Sequence, residues 1–176
     1  CTTCNPDAPC FKKCYALRMA RRYKSVSEAY ARNLEILIND PVSYWLQVKA
    51  AASMARFFRY HVSGDILNRD YIINMVKTAE ELPNTNFLAF TKQYRIVNEY
   101  LNDGGTIPGN LKILFSNWGD WKCENPHGLP VCEVVLKGNE PAPDWKICGG
   151  NCAACACQGV GCWELKNGET IAFYEH

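Results

Sequence analysis

The spacing of apolar residues divides the chain into alternating helical and extended stretches. Tyr30, Leu34, Leu37 and Ile38 recur at helical intervals, which predicts a helix over 26–38. Ser25 and Glu28 stand at its start as a capping box. Asp40-Pro41 reads as an N-cap with proline at the first helical position, so a second helix starts there and runs to about residue 55. FFRYHVSGD at 57–65 alternates and predicts a strand that stops at Ser63-Gly64-Asp65. Asn68 caps an expected helix over 69–82, which Pro83 closes. NFLAFTK (86–92) and LKILFSN (111–117) read as strands, with a short helix between them that Gly104-Gly105 stops. CEVVLKG (132–138) is a fourth strand, and ETIAFYEH holds a fifth at most.

Strands that alternate with helices predict an α/β fold with a mainly parallel sheet. In such sheets, sites collect at the carboxyl ends of the strands. Three expected strands end there in polar groups: Ser63-Gly64-Asp65, Thr91-Lys92-Gln93 and Ser116-Asn117. His61, Lys92 and Asn117 are the expected substrate-facing residues. From about Glu140 the composition shifts to Pro, Gly and Cys. Two parts are therefore expected: an α/β core over 1–139 and a cysteine-rich tail over 140–176, docked on that core.

Composition adds little until the cysteines are counted. The net charge is +1 and no apolar run approaches the ~18 residues of a spanning helix. Neither nucleic acid nor membrane is signalled as a partner. No charged-then-apolar leader opens the chain, so a cytoplasmic location is expected. The eleven cysteines, however, are many for 176 residues, and they fall in groups around a cysteine-free middle. That distribution fits metal binding in a reducing compartment better than a disulfide scaffold, which spreads its cysteines through a small, coreless chain.

At the N-terminus, Cys4, Cys10 and Cys14 share one loop, with Tyr15 directly behind them. Three thiolates can hold three irons of a [4Fe–4S] cluster and leave the fourth open. Cys1 would add a fourth ligand and either close the cluster or suit zinc. At the other end, Cys148, Cys152, Cys155, Cys157 and Cys162 lie within fifteen residues, interleaved with glycines. Four of these could fill a second [4Fe–4S] cluster, leaving one spare. Cys123 and Cys132 stay open between ligand and small buried hydrophobe.

The cysteine loop followed by an aromatic, a helix and a strand ending in a glycine–acid pair resembles the radical S-adenosylmethionine (SAM) superfamily. There the usual spacing is C-x3-C-x2-C, whereas here it is C-x5-C-x3-C. The resemblance implies that Cys4, Cys10 and Cys14 hold the cluster and that Ser63-Gly64-Asp65 stands where a Gly-Gly-Glu segment binds the SAM amino group. That superfamily's barrel has six units; the four to five mainly parallel strands counted here would make a partial (β/α) barrel with a Cys-rich C-terminal segment. CNPDAPCFKKCYALR, RYHVSGDI, AFTK, NPHGLPVC and IAFYEH are also similar to the phage gene product 88 domain family, over about 4–176. That second resemblance implies a bacteriophage origin, hence a host-cell cytoplasm, and no particular reaction. The expected function is a minimal radical SAM enzyme with a substrate or redox partner still to be named. Its alternatives are a non-catalytic iron–sulfur protein, for electron transfer, redox sensing or structure, and a zinc-stapled binding module.

Overall fold

The computed structural model describes residues 7–175. It opens with a 3-10 turn, Pro9–Lys13, whose proline sits at the start where no N–H is needed. Three helices follow: α1 (Tyr15–Arg22), α2 (Lys24–Asn39) and α3 (Pro41–Ser53). α1 was not expected. α2 starts earlier than the capping box implied: Tyr23, not Ser25, is its N-cap, and it makes no side-chain cap. Glu28 instead pairs with Lys24 at 3.6 Å, an exposed i,i+4 contact worth a few tenths of a kcal/mol. Asp40 does cap α3, its carboxylate accepting from Ser43 N at 3.0 Å.

The remaining elements are β1 (Phe57–Arg59), α4 (Arg69–Glu81), β2 (Asn86–Thr91), α5 (Tyr94–Asn102), β3 (Leu111–Trp118) and β4 (Val131–Val135), then β5 (Lys146–Ile147), α6 (Cys152–Gln158) and β6 (Thr170–Tyr174). Asn68 caps α4 through a 2.9 Å bond from Tyr71 N. A second 3-10 turn, Gly161–Glu164, lies between α6 and β6. The strands form one curled half-barrel sheet in the order β1-β2-β3-β4-β6-β5, and every pair is parallel. The α/β class is as expected. The strand count rises to six because the two-residue β5 is too short to show a period.

The expected boundary near Glu140 falls in the loop before β5. The segment beyond it supplies two strands to the same sheet, and β6 is inserted between β4 and β5.

Register sorts the sheet residues onto two faces. Phe58, Phe87, Ala89, Ile113 and Phe115 lie on one, packed with residues of α3, α4 and α5 in the larger core. Leu88, Leu114, Cys132 and Ile171 lie on the other, covered by Ala156, Trp163 and Leu165 from the tail. None of the described helices is long and apolar enough to cross a membrane.

Candidate functional site

β1 is shorter than the expected strand because the chain leaves the sheet after Arg59. His61 has φ 62°, the only positive φ on a described residue other than glycine. Gly64 follows at φ 90°. Together these turn residues 61–65 across the carboxyl ends of β1 and β2. Such a backbone outlier persists only where its surroundings hold it, and it marks a constrained site.

Asp65 anchors this turn. Its buried carboxylate accepts from Ile66 N at 2.7 Å, Thr91 Oγ1 at 2.6 Å and Lys92 N at 2.8 Å. Burial still holds its pKa above the usual carboxylate range, because three hydrogen bonds and the nearby Lys92 charge offset desolvation only in part. His61 Nε2 meets the Tyr71 hydroxyl at 3.1 Å, while the buried Nδ1 has no partner among the described residues. Burial pulls the imidazole pKa down to about 4, so the ring is neutral at pH 7.

A cavity of about 270 Å³ opens at this edge. Cys10, Cys14 and Tyr15 line one side; residues 61–65, Lys92 and Ser116 line the other. The Tyr15 hydroxyl donates to Val62 O at 2.8 Å and so ties the cysteine loop to the turn. Lys13 pairs with Glu175 beyond β6. Burial pushes the Cys10 thiol pKa up, and the adjacent Lys92 ammonium pulls it partly back. Lys92 Nζ donates to Ser116 Oγ at 2.5 Å. The cavity is therefore lined by two thiols, three cations (Lys13, Arg59 and Lys92) and a neutral imidazole at the carboxyl edge of a parallel sheet.

Of the expected residues, Cys10, Cys14, Tyr15, His61, Ser63, Gly64, Asp65 and Lys92 are brought together here. Cys4 and Cys1 lie outside the described residues, as does His176. Asn117 does not join them. It lies on the helix-covered face, donating to Glu133 Oε2 at 3.0 Å and accepting from Cys123 N at 2.8 Å. Ser116, one residue earlier, points to the cavity side, as the period of two requires. Sequence reasoning missed Arg59, whose guanidinium lies 4.8 Å from the Phe90 ring centroid and donates to Cys152 Sγ at 3.4 Å. Only strand parity relative to Ser116 could have pointed to it.

The tail cysteines gather on the same sheet face. Cys162 is buried, Cys148 and Cys155 are half-buried, and Cys152 and Cys157 are exposed. Among the described residues, no three His, Cys, Asp or Glu side chains are placed to hold one metal ion. Zinc at 2.3 Å from each sulfur would need its thiolates about 3.8 Å apart. A [4Fe–4S] cluster makes no such demand, because each thiolate binds a different iron.

A family model described as Gene product 88 matches residues 1–168. The chain belongs to the gene product 88 family. The match takes in both cysteine groups and ends just before β6, so IAFYEH lies outside it. No curated protein and no solved structure matches this family member.

Proposed function

We propose that the cavity is the cluster and SAM site of a small radical SAM-like enzyme. The observation that carries this reading is the shared cavity wall: Cys10 and Cys14 face the polar ends of β1, β2 and β3 across one ligand-sized space. Cys10 and Cys14, with Cys4 as the third thiolate, would hold a [4Fe–4S] cluster. When bound, that group supplies an electron and an open iron able to chelate the amino and carboxylate groups of SAM.

The chain's own residues bind and orient. Tyr15 holds the cysteine loop against the turn. Asp65 is committed to clipping β2, so the SAM amino group falls to Ser63 and Gly64. Lys92 would meet a carboxylate. His61, neutral and with Nδ1 unpartnered, stands between this cavity and a second of about 470 Å³ that shares residues 59–65. Tyr30, Leu34 and Tyr44 also line that second space, which suits a substrate with an apolar or aromatic part. Membership of a phage-related family supports a host-cytoplasm location.

The test is anaerobic reconstitution with iron and sulfide. The reduced protein should show a cluster EPR signal that SAM alters, and it should release 5′-deoxyadenosine. An EPR spectrum unchanged by SAM, without 5′-deoxyadenosine, would leave a non-catalytic iron–sulfur protein. One zinc per chain and no iron would reject both.

A further inference from the structure

The buried thiol of Cys132 has no place in the site described above, yet it lies between that site and the tail. On β4 it pairs in register with Ser116, whose hydroxyl meets Lys92, and with Ile171 of β6. Cys148 directly follows β5, and its N–H donates to Ala172 O at 2.9 Å. Continuing the β5–β6 register by one residue puts Cys148 opposite Phe173, on the face that carries Cys132. Cys162 is buried in the same apolar cluster as Cys132, and Cys148 packs against it. Cys152 opens α6 above them.

Two of these sulfurs already receive hydrogen bonds of the kind that support a thiolate. Gly150 N donates to Cys148 Sγ at 3.4 Å, and Arg59 Nη1 donates to Cys152 Sγ at 3.4 Å. Cys155 packs against the same cluster, but its sulfur is wedged beside the Gly149 and Gly161 backbones, where a Cβ would stand 3.9 and 3.3 Å from it.

We infer that Cys132, Cys148, Cys152 and Cys162 hold a second iron–sulfur cluster, with one ligand from the sheet and three from the tail. This set differs from the tail-only set expected from the sequence. It makes the tail a clamp closed onto β4 rather than a separate cluster-binding module. Soft all-sulfur donors select iron–sulfur clusters or zinc.

The test uses the whole 176-residue chain, reconstituted anaerobically with iron and sulfide. Iron and acid-labile sulfide are counted in Cys132→Ser, Cys155→Ser, Cys157→Ser and Cys10→Ala variants. With two four-iron sites, Cys132→Ser should lose about half the iron and Cys10→Ala the other half. Cys155→Ser and Cys157→Ser should keep all of it. Full iron in Cys132→Ser, or an equal loss in Cys155→Ser, overturns the ligand set. About four irons per parent chain, kept in Cys10→Ala and lost in Cys132→Ser, would overturn the first site and leave this one standing.

Should Cys132→Ser fail to fold, iodoacetamide labelling of the parent protein decides. Cys152 and Cys157 are both exposed on α6. Cys157 should be labelled at once, and Cys152 only after chelation of the iron. Equal labelling of both before chelation overturns the inference.

Discussion

His61 combines three features that seldom coincide: a left-handed backbone, a buried ring nitrogen with no partner among the described residues and a pKa pulled down to about 4. In the unfolded chain the same group titrates near 6.5. Between these two values the unfolded state binds the proton and the native state does not. Stability therefore falls as pH drops from about 6.5 to about 4, and the full difference is ~3 kcal/mol. Asp65 works in the opposite sense. Its carboxyl pKa is raised, so its contribution is lost as pH rises through the raised value. The wild-type slope is the sum of the two. His61→Asn isolates the first, because Asn tolerates the left-handed conformation and carries no proton in this range. Urea unfolding from pH 7 to pH 4.5 should show the variant losing less stability than the wild type as the pH drops. Parallel profiles would mean that the ring is solvated and titrates normally.

Two adjacent glycines end α5 for different reasons, and the difference can be measured. Gly104 has φ 85° and open space around it, so it serves the backbone turn alone. A Cβ on Gly105 would stand 2.4–2.6 Å from the Tyr100 ring. That ring is buried, and its hydroxyl donates to Thr106 O at 3.0 Å, so it cannot swing clear. Gly104→Ala should cost about 1 kcal/mol, and Gly105→Ala nearer 2–3 kcal/mol from overpacking. Equal midpoints in denaturant would show that the ring contact is absent. The pair also shows what was legible in advance. A double glycine announces a helix stop, but which glycine also supports a ring depends on tertiary packing. The same divide runs through the other elements. Asp40-Pro41 and Asn68 were legible because capping is local, and β2 and β3 because their apolar runs are long. α1 and α6 were missed because cysteines and basic residues mask their period. The cavity-lining set was legible as strand tails, yet choosing Ser116 over Asn117 needs the register of β3. Cys132 needed the β3–β4 and β4–β6 pairings.

At the scale of the molecule, the expected division at about residue 139 meets a sheet that continues across it. β6 lies between β4 and β5, and Ile171 and Ala172 are buried. Trp163 packs edge-on to Phe57 at 5.1 Å, and Lys112 Nζ donates to Leu165 O at 2.8 Å. The tail thus seals the face that carries Leu88, Leu114 and Cys132. A chain cut after Asn139 would uncover that face and leave β4 as an unpaired edge. Each large side chain returned to water costs ~1.5–3 kcal/mol. With Leu88 and Leu114 exposed, and the burial of Trp163, Leu165 and Ile171 lost, the sum matches the 5–15 kcal/mol that holds a domain of this size together. Residues 1–139 alone should therefore show no cooperative urea transition and should bind a dye specific for exposed apolar surface. The full chain without iron should unfold in one transition, because both apolar cores share β2, β3 and β4. A sharp two-state transition for 1–139 would instead make the tail a dispensable module. In that case the cluster clamp at Cys132 would be what joins two independently folding parts.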